Sequence, residues 1–239
     1  MSEIPQKLAV ENLKEHLVSL DLNGASTYSI PRWTSMADPE RLKFLRNLVM
    51  QRGRDPRIAS LCIDIFKKAG AKPRDFKGQL SALLKWVQTN VYFCPEAAER
   101  IQDPIFTMTR GFGDCDDSAV LLATLAESCR MTWRFVIAGI QGGKKVKGPD
   151  GKITRAGGRK IRFIEGSKYP SDCEWSHIYL LIGEAFTPKN LFFCETTIVG
   201  VPIGWDITRH TPRPCPRACK SYCYKVKIHI FSTTPGLIL

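Results

Sequence analysis

The chain of 239 residues is long enough to bury a substantial core, and its hydrophobic (44%) and aromatic (10%) contents are those of a folded protein. Its net charge of +12, from 35 Lys and Arg against 23 Asp and Glu, favours contact with an anionic partner such as nucleic acid or an acidic protein. No apolar run approaches the roughly 20 residues of a membrane span, and the polar N-terminus shows no secretory signal. We therefore expect no membrane span and a protein that is cytoplasmic when made.

The cysteines do not form a recognisable metal-binding or disulfide pattern. Their odd number leaves at least one thiol unpaired, and no two have the C-x2-C spacing of a zinc knuckle. Three tail cysteines lie four residues apart and could bind zinc with His210, but the surrounding prolines disfavour this. We expect mostly free, buried thiols, no cofactor and no metal site. The nine cysteines are Cys62, Cys94, Cys115, Cys129, Cys173, Cys194, Cys215, Cys219 and Cys223.

The first part of the chain has the pattern of a helical region. Leucines at helical spacing predict a short helix within residues 1–22, and the Gly, Ser, Thr and Pro content of residues 23–39 predicts an extended arm. Proline at helix starts and glycine after a helix end then mark further helices. Three are predicted: one beginning at Asp38-Pro39, one from Asp55-Pro56 to Ala69-Gly70, and one from about Asp75 to Asn90. Residues 91–110, interrupted by prolines, are predicted to be irregular.

A glycine-rich turn next leads into a cysteine and an apolar run with helical spacing, GFGDCDDSAVLLATL. Gly111 and Gly113 permit a sharp turn, and Asp114 suits a helix N-cap. Cys115 is thereby placed in the first helical turn, where free N–H groups and the helix dipole favour a thiolate.

The two acids that follow the cysteine affect both the helix and the thiol. Asp116 and Asp117 suit the first turn of a helix, but their negative charge raises the pKa of a neighbouring thiol. We therefore predict that they cap the helix or anchor a loop rather than take part in catalysis.

After this helix the hydrophobic pattern becomes that of β-strands. Segments rich in β-branched and aromatic residues predict four strands, over Trp133–Ile140, Ile161–Ile164, His177–Ile182 and Asn190–Glu195. Helices followed by strands predict an α+β fold, with an antiparallel sheet packed on the central cysteine-bearing helix.

Residues 141–160, between the first two strands, contain seven basic residues and one acid. A solvated hairpin extension with a Pro-Asp-Gly turn is the simpler interpretation. The alternative is a basic finger that contacts an anionic partner.

Cysteine catalysis requires a base for the thiol and a group that orients the base. Of the four histidines, His177 is the best base because it begins a hydrophobic strand downstream of Cys115. Glu195 ends the strand after Phe-Phe-Cys, where a buried acid needs a partner, and we expect it to hold His177 in one tautomer. A histidine at a strand end with only a structural role is the competing interpretation.

The chain resembles the transglutaminase-like superfamily of papain-type cysteine enzymes, in particular its bacterial and phage members. The resemblance covers roughly residues 75–208 and rests on three segments: GDCDD before an apolar helix, SHIYL, and FFCETT. It also includes the lead-in QDPIFTMTRGFGDC. The family's third catalytic residue is usually Asp, whereas Glu195 stands at the matching position here.

The resemblance implies a Cys115, His177 and Glu195 triad that transfers an acyl group from a peptide or peptidoglycan-type amide. The N–H of Cys115 would stabilise the oxyanion, and Asn90 is the candidate second donor. The expected organisation is a helix and arm over residues 1–39, a transglutaminase-like core over 40–208, and a Cys/Pro-rich tail over 209–239.

A non-catalytic role is the alternative hypothesis. Short proteins with this lead-in are similar to ones encoded among phage virion genes, so the chain could be a structural or adaptor protein incorporated into a virion. Its partners would then be neighbouring capsid, neck or tail proteins rather than a substrate.

Overall fold

The computed structural model describes residues 17–20, 26–29, 39–94, 100–147, 153–185 and 190–210. The described part has an α+β architecture, as predicted, in which helices surround one buried helix and an antiparallel sheet packs against it. The helices are α1 (Pro39–Arg52), α2 (Pro56–Ala69), α3 (Phe76–Asn90), α4 (Pro104–Arg110) and α5 (Cys115–Ser128). The strands are β1 (Leu17–Leu20), β2 (Ser26–Ser29), β3 (Tyr92–Phe93), β4 (Arg100–Gln102), β5 (Phe112–Gly113), β6 (Thr132–Gln141), β7 (Lys144–Lys147), β8 (Ile153–Ala156), β9 (Arg159–Ile164), β10 (Cys173–Gly183) and β11 (Leu191–Cys194).

The three helices predicted before the cysteine turn are confirmed, and their ends follow from local chemistry. Asp55 caps α2 by accepting from the N–H of Arg57, and Gly70 ends that helix in the left-handed region at φ 65°. Asp75 caps α3 in the same way through the N–H of Gly78.

Helix α5 is the centre of the molecule. Every residue from Cys115 to Ala126 is buried, and the helix contacts α1, α2, α3, α4, β6 and β10. Beyond its first turn the helix is apolar on nearly all sides and has to be enclosed by other elements, so its position follows from its sequence.

The main sheet has the strand order β11-β10-β6-β9 and is antiparallel throughout. Side chains alternate across β10, with Ile178 and Leu180 packing on the helices and Tyr179 and Leu181 in a smaller cluster on the opposite face. This confirms the predicted packing of the sheet on the cysteine-bearing helix.

Two sequence-based predictions about local structure are wrong. Leu17–Leu20 is a strand that pairs with β2, not the end of a helix, and residues 1–16 lie outside the described residues. The described residues of the segment 91–110 are also more regular than predicted, because Asp103 caps α4 with Pro104 in its first turn and Gly111 ends it. Pro104 therefore begins a helix instead of interrupting the segment.

The basic insertion forms a hairpin-like extension in which β7 pairs with β8. Its predicted Pro-Asp-Gly turn lies outside the described residues, as do the three tail cysteines. No helix in the described part of the chain is both long and apolar enough to cross a membrane.

Candidate active site

The turn before Cys115 is held by backbone and side-chain hydrogen bonds. Gly111 adopts φ 70°, which favours glycine, and ends α4. Asp114 then accepts from the N–H groups of Asp116 and Asp117, while Asp117 accepts from the N–H of Asp114 at 3.1 Å. This reciprocal capping box fixes Cys115 as the first residue of α5.

The thiol of Cys115 is buried, with 8% of the residue exposed. Burial raises its pKa above the ordinary value for cysteine, and the charges of Asp116 and Asp114 raise it further. The N–H of Ile178 and the charge of Arg41 act in the opposite direction but do not outweigh them. The resting form at neutral pH is therefore the neutral thiol, and attack on a carbonyl requires a base.

His177 lies in β10 at a register irregularity. The pairing with β6 shifts between Trp175, which lies opposite Gly139, and His177, which lies opposite Ala138. A β-bulge of this kind re-aims side chains locally. Gly139 permits it, since a Cβ at that position would lie 2.3 Å from the carbonyl oxygen of Glu174.

The imidazole of His177 is hydrogen-bonded to the carboxylate of Glu195, with 2.7 Å between Nε2 and Oε2. The Glu195 side chain is completely buried, and its other oxygen accepts from the N–H and hydroxyl of Thr197 at 2.9 and 2.7 Å. Burial alone would raise the pKa of Glu195, but the His177 and Thr197 interactions outweigh it and hold the pKa below the usual value. Glu195 is therefore an ionised acceptor that fixes a proton on Nε2 and leaves Nδ1 as the basic nitrogen.

The start of α5 lies near β10. The two elements are in contact, and the backbone N–H of Ile178 acts to lower the pKa of the Cys115 thiol, which sets the thiol near the residue after His177. Cys194 pairs with Leu180 at the end of β11, which leaves Glu195 just beyond the ladder, next to His177. The start of α5 and the end of β11 therefore both lie next to β10.

Asp116 and Asp117 anchor the turn, as predicted. Asp117 accepts from the N–H of Gln102 at 2.7 Å, which ties α5 to β4. Asp116 is buried against the equally buried guanidinium of Arg41 in α1. Burial raises the pKa of Asp116, and the neighbouring carboxyl of Asp114 raises it further.

Asp114, Asp116 and Asp117 could together offer oxygen ligands to a metal, with one oxygen from each lying within 4.8 Å of the others. The capping box and the Arg41 ion pair already engage this cluster. The surrounding contacts are those of a helix cap with a buried counter-ion.

Asn90 lies in the last turn of α3, and its carbonyl is close to Gly111. Its side chain is exposed, and Nδ2 donates to the carbonyl of Trp86 at 2.8 Å and to the hydroxyl of Thr89 at 3.0 Å. An oxyanion role for Asn90 would require these bonds to open.

The backbone N–H of Cys115 is the other predicted oxyanion donor. The Asp114 side chain that caps α5 accepts from the N–H groups of Asp116 and Asp117 rather than from that of Cys115, which suits the Cys115 N–H for an oxyanion role.

Several supporting residues were not identified from sequence. Thr197 could have been found, since a threonine two residues after a buried acid commonly bonds back to it. Tyr179, whose ring stacks on His177 with centroids 5.9 Å apart, could have been found as the second residue after the histidine on the same strand face. Buried Gln88 donates to the carbonyls of Glu195 and Val201, and no local pattern predicts those contacts.

Comparison of the sequence with protein-family models found no match, and comparison with curated proteins found none either. Among solved structures, the chain is similar to a candidate cysteine protease from Cytophaga hutchinsonii, with 14% identity and a TM-score of 0.31. The match covers 76% of this chain and 66% of that one, so the chain spans just under two thirds of its length. A likeness this weak carries no argument about function, which rests on the site geometry.

Proposed function

We propose that the protein is a cysteine hydrolase or acyltransferase that acts on a peptide or peptidoglycan-type amide through Cys115, His177 and Glu195. The observation that supports this most strongly is the His177–Glu195 hydrogen bond of 2.7 Å, made by the residue next to Ile178, whose N–H lowers the pKa of the Cys115 thiol. A histidine with only a structural role does not require an ionised, fully buried carboxylate that is itself held by two further hydrogen bonds.

The chemistry follows from the protonation states. His177 Nδ1 takes the proton from the Cys115 thiol as sulfur attacks the amide carbonyl carbon, and Glu195 stabilises the imidazolium that forms. The Cys115 N–H, at the positive end of α5, stabilises the oxyanion. The imidazolium returns its proton to the leaving amine, and water or a second amine then cleaves the thioester.

The raised thiol pKa makes this a general-base mechanism. A cysteine whose thiolate is already formed needs no base at the moment of attack, but burial and two acids oppose that state here. Activity should therefore depend strongly on His177 and on the carboxylate that orients it.

The proposal is tested by turnover of two probe sets, unstructured peptides from a casein digest and muropeptides released from peptidoglycan, with product amines detected by mass spectrometry. Wild type should hydrolyse or transaminate an amide in one set. Cys115→Ser and His177→Ala should lower the rate at least ~10³-fold and Glu195→Gln about 10²-fold or more. Cys94→Ser, at a partly exposed cysteine, serves as the matched control.

Turnover that survives Cys115→Ser contradicts the proposal. So does a folded wild-type chain that turns over neither set, a result that would favour a virion scaffold in which the site is no longer used.

A further inference from the structure

Two cysteines outside the candidate active site meet at the far end of α5. The thiol of Cys62, in α2, lies 3.6 Å from the carbonyl oxygen of Leu125. The backbone N–H of Cys129, which follows the last residue of α5, donates to the same oxygen at 3.1 Å. Both cysteines are therefore held around a single carbonyl.

The two thiols affect each other's ionisation, and they are chemically unequal. The neighbouring Cys62 thiol lowers the pKa of Cys129 and outweighs the opposing effect of burial. The Cys129 thiol, followed by burial, raises the pKa of Cys62. Cys129 is partly exposed, whereas Cys62 is buried, so the accessible thiol is also the one that ionises more readily.

We propose that Cys62 and Cys129 form a redox-active dithiol that closes to a disulfide in the presence of a low-molecular-weight disulfide, joining α2 to the C-terminal end of α5. A nucleophilic, accessible cysteine next to a second thiol is the arrangement that thiol–disulfide exchange requires.

Glutathione disulfide is a suitable reactant. The Cys129 thiolate attacks one of its sulfurs, forming a mixed disulfide and releasing one glutathione thiolate. Cys62 then gives up its proton to that thiolate and attacks the Cys129 sulfur, which releases the second glutathione as a thiolate. That thiolate takes up, through the solvent, the proton that Cys129 lost on ionising. Two electrons and two protons pass from the protein to the oxidant, giving one protein disulfide and two glutathione molecules.

The disulfide would leave the candidate nucleophile untouched. Cys115 lies at the opposite end of the 14-residue helix α5, about 20 Å away at 1.5 Å per residue. The new bond would close a long loop in the unfolded chain and hold α2 against the central helix. We expect the melting temperature to rise by roughly 5–10 °C on oxidation.

The full chain is incubated with glutathione disulfide and digested under non-reducing conditions. Trypsin leaves Cys115 and Cys129 in one peptide, residues 111–130, so a second cleavage after Glu127 is needed to separate them. The expected product joins the Cys62 peptide to the Cys129 peptide, together with a melting temperature that dithiothreitol returns to its starting value. Cys129→Ser should abolish the linked peptide and the rise, and Cys94→Ser should retain both.

Cys62→Ser provides an independent test of the two-step order, because Cys129 should then accumulate as the glutathione mixed disulfide. The inference is overturned if wild type accumulates that mixed disulfide without closing, or if Cys129 remains unmodified. A link between Cys62 and any other cysteine overturns it as well. The wild-type peptide assignment does not depend on whether a variant folds.

Discussion

Glu195 is completely buried and negatively charged, and hydrogen bonds from its neighbours stabilise that charge. A buried carboxylate is costly unless hydrogen bonds replace its hydration, and here His177 and Thr197 occupy both oxygens. The Glu195 side chain is long enough to reach Nε2 of His177 at a normal hydrogen-bond distance.

The depressed pKa of Glu195 predicts a specific dependence of stability on pH. In the unfolded chain this carboxylate titrates near 4.3, and in the folded chain at a lower pH. Its contribution to stability is therefore present above about pH 4.3 and is lost as the pH falls through the folded-state pKa. Urea unfolding at several pH values should show a shallower loss of stability in acid for Glu195→Gln than for wild type.

Glu184→Gln, at an exposed position outside the site, is the control for removing one carboxylate. Its acid profile should follow that of wild type. Parallel profiles for wild type and Glu195→Gln would show that the carboxylate is not selectively stabilised in the folded state.

At the scale of elements, the site depends on one irregularity in a regular sheet. The bulge in β10 falls between Trp175 and His177, and the tight contact of Gly139 with Glu174 allows the strands to approach there. His177 then stacks on Tyr179 and meets Glu195. The close approach of the two strands next to His177 therefore depends on a glycine of the neighbouring strand.

Gly139→Ala should displace this bulge. The new Cβ would lie 2.3 Å from the Glu174 carbonyl oxygen and 2.8 Å from the Trp175 ring, so the backbone has to move. We expect a loss of about 1–3 kcal/mol in the free energy of unfolding, as for other overpacked sites, together with a loss of turnover. Chemical denaturation and the peptide assay measure the two effects.

Gly142→Ala separates the crowding effect from backbone strain. Gly142 has φ 67° but no atom within 4 Å of an added Cβ, so this variant should lose about 1–2 kcal/mol and retain turnover. Equal turnover in the two alanine variants would rule out a role for the bulge in placing His177.

The same elements show what sequence can predict. The bounds of α2, α3 and α5 follow from Asp caps, an early proline and a terminal glycine, and each of these signals is local. The same signal is present at Asp103-Pro104, where the proline begins α4 rather than interrupting an irregular segment. The bulge and the approach of Cys62 to the carbonyl of Leu125 depend on pairings between distant segments, which periodicity and capping rules do not describe.

At the scale of the whole molecule, the buried helix α5 carries the candidate nucleophile at its start and packs against a second cysteine at its end. Its first residue is Cys115, presented to the strand that carries His177, and its end lies against Cys62 of α2. The surrounding helices keep α5 inside, where burial raises the pKa of the Cys115 thiol. A buried thiol beside acids is unreactive on its own, so its reactivity reports directly on whether a base acts on it.

Alkylation by iodoacetamide at neutral pH, followed residue by residue by mass spectrometry after cleavage at Glu127, is the most direct measurement of that reactivity. Cys115 should react faster than the more exposed Cys94 and Cys173, and His177→Ala should slow Cys115 at least about 10-fold while leaving the other two unchanged. If Cys115 reacts no faster than Cys94 and Cys173, or if His177→Ala leaves its rate unchanged, then His177 does not serve as its base and the catalytic proposal fails.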